Sequence, residues 1–197
     1  MSRRLVVSLV AAVLAVLAGG AWLWFGRDLP RPAALRAEPT SALYALVDSR
    51  QADAAPVTVA EIFTPGTQTI GGMTRTAVEE LTDCDDALWG TSAPGCTQAL
   101  RATYRGPAVA GQFVIFNLPD GRAADALVAA LREDGFVRQT TPFDATRSRA
   151  EVRALGHYVT VSWLGTLTAE RGTDLVQPLI ALDALGNAIQ TRVLAAT

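Results

Sequence analysis

The chain has 197 residues with a formal net charge of −2; half of its residues are hydrophobic and 18% are charged. This composition excludes an intrinsically disordered chain, which lacks the apolar residues to build a core. It also excludes a multi-pass transporter, because only one long uncharged run is present. Residues 1–36 hold five of the 17 arginines and one of the 19 acidic residues, so the remainder is acidic. An acidic domain argues against a nucleic-acid partner, which requires a basic face.

An uncharged run over residues 5–26 predicts a membrane-spanning helix, so the lipid bilayer is the expected partner of this segment. Such a helix is about 33 Å long, enough to cross a hydrocarbon core of roughly 30 Å. Trp22, Trp24 and Phe25 cluster at its end, where aromatic rings favour the membrane interface. The alternative is a signal peptide cleaved near the small residues 18–21, which would release a secreted protein. The uncleaved anchor is favoured because the apolar run continues past that point.

Two cysteines, Cys84 and Cys96, lie well outside the apolar run and predict a disulfide. A closed pair behind a membrane segment fits an oxidising compartment, so we expect the N-terminus inside and the domain extracytoplasmic at the cell membrane. Two free buried thiols in a cytosolic domain are the alternative. Two thiols and a single histidine do not make a zinc site, and no dinucleotide or phosphate-loop pattern occurs, so no metal or cofactor is expected.

These features divide the chain into an anchor over 1–26, a linker over 27–40 and one extracytoplasmic domain over 41–197. The linker contains three prolines among alternating charges, a composition typical of a short stiff spacer. The domain is long enough to bury about two thirds of its unfolded surface around a single core.

In chain order, apolar spacing and capping residues predict alternating helices and strands behind the linker. Leu43, Leu46 and Val47 have the i, i+3, i+4 spacing of a helix over Thr40–Arg50. The remaining predicted elements are a capped turn at Thr58–Glu61, a strand over Thr74–Leu81, a short helix over Asp83–Trp89, strands over Gln98–Arg105 and Val109–Leu118, a helix capped by Asp120, strands over Phe136–Thr140 and His157–Leu164, and a last helix from Thr173 to Leu194. The charged residues 142–154 predict an irregular segment.

The order β-α-β-β-α-β from residue 73 predicts the fold class. We expect an α+β domain with a ferredoxin-like antiparallel sheet, an added C-terminal strand and helix, and the transmembrane helix in front of it. In that arrangement the helices pack on one face of the sheet.

His157 and a group of arginines are the candidate site residues. His157 would serve a hydrolase as a general base, but a histidine bound to a backbone carbonyl at a strand end is the simpler interpretation. Arg147, Arg149 and Arg153 form a modest basic cluster before it. This cluster would contact a ligand, lipid headgroups or an acidic partner, unless it is ordinary surface charge.

Four short stretches carry a resemblance to a known group of proteins. Gly95–Gln98, Arg101–Tyr104, Asn117–Asp120 and Gly156–Tyr158 resemble segments of membrane-anchored or secreted proteins of high-GC actinobacteria such as streptomycetes. The similarity extends over residues 55–190. It implies an exported domain and assigns no activity and no catalytic residue.

The expected function is therefore non-catalytic: a single-pass membrane protein whose extracytoplasmic domain binds a partner protein at the cell envelope. Neither a nucleophile paired with a base nor a set of metal ligands is visible in the sequence. A small-ligand-binding or sensing domain, with a pocket between the sheet and the C-terminal helix, is the first alternative. A hydrolase using His157 is the second.

Overall fold

A seven-stranded sheet organises the part of the chain that this computed structural model describes, residues 29–169 and 172–195. The chain is mixed α+β, and the sheet curls into a half-barrel. The predicted span over residues 5–26, with Trp22, Trp24 and Phe25, lies outside the described residues. No helix within the described residues is long and apolar enough to cross a membrane.

The strand order of the main sheet is β1-β8-β9-β6-β5-β3-β2. Its strands are β1 (Ala34–Glu38), β2 (Thr69–Ile70), β3 (Met73–Leu81), β5 (Gln98–Arg105), β6 (Val109–Asn117), β8 (Asp144–Leu155) and β9 (Tyr158–Thr166). Strand β1 pairs with β8 in parallel, and all other neighbours are antiparallel. The short strands β4 (Leu88–Trp89) and β7 (Phe136–Val137) form a separate pair.

Helices cover both faces of the sheet. They are α1 (Val59–Ile62), α2 (Gly121–Glu133), α3 (Val176–Asp183) and α4 (Asn187–Ala195), with 3₁₀ helices at Ser41–Val47, Pro65–Thr67, Cys84–Ala87 and Ala184–Gly186. Helix α2 buries Leu127, Val128 and Leu131 against one face. Helices α3 and α4 bury Leu179, Leu182 and Ile189 against the other. Each face therefore has its own apolar core, and the central strands β6 and β9 are buried throughout.

The predicted ferredoxin-like arrangement is wrong. That fold has a small sheet with its helices on one face, whereas here seven strands carry helices on both faces. The segment 142–154, predicted to be irregular, belongs largely to β8. Its charged residues alternate with buried Ser148, Ala150, Val152 and Ala154, so one face of the strand is apolar although the segment is rich in charge.

Part of the segment predicted as a linker also joins the sheet. Residues 34–38 form β1, and Leu35 and Ala37 pack against the core beneath α2. Just before it, Arg31 donates hydrogen bonds to the last carbonyls of α2, with Nη2 2.7 Å from the oxygen of Arg132. These carbonyls have no partner inside the helix, so the arginine satisfies them.

Several predicted elements are confirmed. The strands at β3, β5, β6 and β9 are present, and α2 begins after Asp120, whose side chain accepts a hydrogen bond from the amide of Ala123 at 2.8 Å. Three predicted helices differ. Thr40–Arg50 forms only the 3₁₀ helix Ser41–Val47, Asp83–Trp89 forms a 3₁₀ turn and β4, and the last helix is interrupted into α3 and α4.

The predicted disulfide between Cys84 and Cys96 is confirmed, with 6.1 Å between their Cα atoms. The disulfide lies within the segment that connects β3 to β5. Cys84 is buried in the core beneath α2, so the disulfide attaches this connecting segment to the sheet.

The molecule has two ends along the strand direction. At the hairpin end, β8 turns into β9 through Gly156 and His157, beside the 3₁₀ helix Ser41–Val47. At the opposite end, called the Leu29 end, β8 begins and β9 finishes, since Asp144 pairs with Thr166. Helix α2 runs from the hairpin end, where the amide of Gly121 donates to Asp48, to the Leu29 end, where Arg31 binds its final carbonyls.

Candidate functional site

An exposed apolar surface lies on the 3₁₀ helix Ser41–Val47 at the hairpin end. Its outward residues, here called the apolar patch, are Ala42, Leu43, Ala45 and Leu46. Leu43 is 79% exposed and Leu46 is 45% exposed. Helix α4 packs alongside and adds Leu194, which is 73% exposed. Contiguous exposed apolar side chains are typical of interaction sites.

Polar contacts hold the first end of this helix in place. The amide and hydroxyl of Ser41 both donate to the carboxylate of Asp125 on α2, at 3.3 and 2.6 Å. The hydroxyl of Thr40 donates to the backbone oxygen of Ala154 at 2.8 Å. The helix is therefore attached both to α2 and to the end of β8.

His157 holds the other end. Its backbone amide and its Nδ1 both donate to the carbonyl of Val47, at 2.9 and 2.8 Å. Burial lowers the pKa of this imidazole, although the hydrogen bond to Val47 opposes the shift. The ring is thus neutral at physiological pH with its hydrogen on Nδ1, while the buried Nε2 has no hydrogen-bond partner. His157 therefore positions the apolar patch rather than facing solvent.

Gly156, in the turn before His157, allows this turn to lie close to the carbonyl of Val47. Gly156 has a φ of +64°, and a Cβ added there would lie 2.0 Å from the carbonyl oxygen of Val47. Only glycine permits both this backbone conformation and this approach.

A second cluster at the hairpin end is centred on Arg192 of α4. Its guanidinium donates to Glu61 at 2.5 and 2.8 Å and to Asp53 at 2.8 and 3.0 Å. It also donates to the carbonyls of Ala55 and Pro56, so every guanidinium nitrogen has a partner. The Arg192 cluster therefore joins α4 to the segment that runs from residue 53 to 61.

Tyr158 completes the Arg192 cluster. Its hydroxyl donates to Asp53 at 2.8 Å, and burial together with this bond raises its pKa. The hydrogen bonds from Arg192 lower the pKa of Glu61, and the pairing with Glu61 raises that of Arg192. Glu61 and Arg192 therefore remain charged at neutral pH and Tyr158 remains protonated, which is the behaviour of a structural ion-pair network. No local pattern in the sequence indicates this network, because the bonds from Tyr158 and Arg192 to Asp53 and Glu61 span more than a hundred residues.

The structure separates the four predicted site residues. His157 is at the hairpin end. Arg153 lies near the hairpin end of β8, two residues before Leu155, among Glu38, Glu151 and Asp183, at N–O distances of 3.7, 3.5 and 3.4 Å. Burial raises the pKa of both Glu151 and Asp183. Arg153 is therefore surrounded by carboxyl groups, while Arg147 and Arg149 lie at the Leu29 end of the strand.

Arg147 and Arg149 have different surroundings. Arg147 donates to the hydroxyl of Thr166 at 2.9 Å and to the carbonyl of Thr168, and it pairs with Asp144 at 3.7 Å. Arg149 is exposed beside a groove of about 610 Å³ floored in part by Leu175. No group of three or more His, Cys, Asp or Glu side chains in the described part of the chain is placed to hold a metal ion.

Comparisons with protein-family models, curated proteins and solved structures found no match to this chain.

Proposed function

We propose that this chain is a single-pass membrane protein whose extracytoplasmic domain binds a partner protein at the cell envelope without catalysing a reaction. The apolar patch on the 3₁₀ helix Ser41–Val47 is the proposed binding surface. The observation that carries the proposal is the exposure of Leu43 and Leu46 on a helix whose two ends are fastened to the domain.

Rigid attachment matters for binding. Ser41 is bonded to α2 and Val47 to His157, and the helix is kinked at Tyr44 between Leu43 and Leu46, so each bond holds the half of the helix that carries one leucine. A surface that is ordered before binding loses little conformational entropy when its partner docks. Burying one leucine side chain contributes about 1.5–3 kcal/mol, so the two leucines would together contribute about 3–6 kcal/mol to such a contact.

The proposed location rests on two features. The disulfide between Cys84 and Cys96 favours an oxidising compartment. The uncharged run over residues 5–26 favours an anchor that keeps the domain at the membrane. The N-terminus is then inside and the domain outside.

The two alternative functions have less support. A hydrolase would need a base that reaches substrate, but His157 is fully buried and, among the described residues, its side chain is hydrogen-bonded only to the carbonyl of Val47. A pocket between the sheet and the C-terminal helix would need empty space there. Leu179, Leu182 and Ile189 are packed into that interface instead.

Site-specific photo-crosslinking in the producing cells tests the proposal. A photoreactive amino acid replaces Leu43 in the full chain, and its adducts are identified by mass spectrometry. We expect one envelope protein to be captured reproducibly. The substitution Leu46→Ser should reduce its yield about tenfold, because it removes roughly one buried leucine from the contact.

Ile180 is the matched control, since it is an exposed apolar side chain on the outer face of α3. The same photoreactive residue placed there should not capture the protein. Equal adducts from positions 43 and 180, or none from position 43, would contradict a binding role for the apolar patch.

A further inference from the structure

Three grooves form a continuous belt around the Leu29 end, here called the groove belt. One of about 470 Å³ is lined by Leu29, Pro30, Trp89, Arg138 and residues up to Pro142. The next, of about 400 Å³, shares Pro142 with it. The third, of about 610 Å³, shares Arg147 and Thr166 with the second and extends to Arg149 and Leu175. The belt therefore extends from Leu29, in its first groove, to Arg149, in its third.

The belt carries more positive than negative charge. Its described lining contains Arg138, Arg147 and Arg149, and a single carboxylate, Asp144. The hydrogen bonds from Thr146 lower the pKa of Asp144, so this group is ionised and pairs with Arg147. Arg138 and Arg149 are exposed, and although their backbone groups are paired, neither guanidinium group makes a hydrogen bond or ion pair with another described residue.

The position of Leu29 brings the belt close to the proposed membrane. The uncharged run finishes at Gly26, three residues before Leu29. Three residues reach at most about 10 Å even when fully extended. Charges interact over about 8 Å at physiological ionic strength, so Arg138, which lines the same groove as Leu29, would lie within reach of the headgroup layer, and Arg149 lies further along the belt, opposite Ala34.

From this placement we propose that the groove belt binds the phosphate groups of anionic phospholipids, with Arg138 and Arg149 as the principal contacts. This inference rests on the proposed anchor over residues 5–26. Arg147 lines both the second and the third groove. The apolar patch lies at the hairpin end and so faces away from the bilayer, where an envelope partner can reach it.

Arginine labelling of the full chain in lipid nanodiscs tests this surface. Phenylglyoxal, a neutral reagent, modifies accessible guanidinium groups, and mass spectrometry measures the modification of each arginine. Nanodiscs contain phosphatidylcholine alone or phosphatidylcholine with phosphatidylglycerol. We expect Arg138 and Arg149 to react about fivefold more slowly when phosphatidylglycerol is present. Electrostatic attraction to the anionic headgroups would hold these guanidinium groups at the membrane surface and shield them from the reagent.

Arg122 is the internal control, because it is exposed in the first turn of α2 at the hairpin end. Its labelling should be the same in both lipids. Protection of Arg122 together with full reactivity of Arg149 would overturn the proposed orientation. Equal labelling of Arg149 in both lipids would overturn anionic headgroup binding.

Two further experiments distinguish headgroup binding from soluble-phosphate binding and test the membrane anchor. Glycerol 3-phosphate added to phosphatidylcholine nanodiscs should not protect Arg149; protection equal to that of phosphatidylglycerol would assign the groove to soluble phosphates instead. Extraction of vesicle-bound chain with alkaline carbonate tests the anchor separately. A chain that is extracted refutes the anchor and this inference together, whereas an anchored chain with unprotected arginines refutes only the headgroup contact.

Discussion

The two ends of the molecule use arginine in opposite ways. At the hairpin end, the guanidinium of Arg192 is surrounded by Asp53, Glu61 and backbone carbonyls, and its side chain is only 13% exposed. At the Leu29 end, Arg149 is exposed and its guanidinium has no hydrogen-bonding or ionic partner among the described residues. Arg192 therefore holds chain segments together, whereas the guanidinium of Arg149 is available to bind a group outside the domain. Substitutions at the two positions should therefore affect different properties.

Arg192→Met should have the largest effect, because it leaves the carboxylates of Asp53 and Glu61 partly buried without a counter-charge. We expect a loss of about 3–5 kcal/mol in the free energy of unfolding, measured by urea denaturation. Arg192→Lys restores the charge but not the paired hydrogen bonds, so it should recover only part of the loss. An unchanged denaturation midpoint in Arg192→Met would show that the cluster does not hold the hairpin end.

Removing the disulfide should have the next largest effect. The double variant Cys84→Ser, Cys96→Ser opens a loop of sequence separation 12. A closed loop of this size stabilises a domain by about 3 kcal/mol in the chain-entropy model. We expect a lower melting temperature for the variant, and a reducing agent should lower that of the unaltered chain but leave the variant unaffected. Identical melting temperatures under oxidising and reducing conditions would contradict a stabilising role for the bridge.

His157 should make the hairpin end sensitive to acid. Its pKa is lower in the folded than in the unfolded chain, so the unfolded chain binds more protons and stability falls as pH decreases below about 6.5. For one proton the slope cannot exceed about 1.4 kcal/mol per pH unit. The measurement is the free energy of unfolding at pH values from about 7.5 to about 5, in steps of roughly half a pH unit.

His157→Asn is the matched variant for this pH dependence. Its side-chain amide can still donate to Val47 but does not titrate, so the part of the slope that His157 contributes should disappear. The raised pKa values of Glu151 and Asp183 favour the folded state as pH falls, and they act equally in both proteins. Equal slopes in the two proteins would mean that His157 is not the titrating group.

Arg149→Gln should have the smallest effect on stability. An exposed side chain without internal partners contributes within about 0.5 kcal/mol to the free energy of unfolding. Urea denaturation should therefore hardly distinguish this variant from the unaltered chain, although we expect it to lose the proposed headgroup contact. A loss as large as that of Arg192→Met would remove the contrast between the two ends.

Much of the fold could be predicted where the signal is local. The cap of Asp120 marks the start of α2, and the apolar runs of β6 and β9 mark central strands. The segment of β8 was predicted wrongly because its alternation is carried by small residues between charges. Such a strand becomes regular only when β1 and β9 pair with it on either side.

The candidate site was less predictable than the fold. Leu43, Leu46 and Val47 have the i, i+3, i+4 spacing that predicts a helix over Thr40–Arg50. The structure buries Val47 against His157 and leaves both leucines exposed. The difference arises because the segment forms a short 3₁₀ helix, attached at its ends by Ser41 and Val47. Spacing alone cannot indicate which side of a short helix finds a partner.

By itself, the sequence determined the mixed α+β composition, the disulfide between Cys84 and Cys96, the helix after Asp120 and the strands of the sheet's centre. These features depend on residues that lie near one another in the chain or on strong apolar patterns. Only the tertiary structure decided the strand order, the Arg192 cluster, the burial of His157 and the separation of Arg149 from Arg153. The physical reason is that these features arise from pairing and packing between segments distant in sequence, for which no local pattern exists.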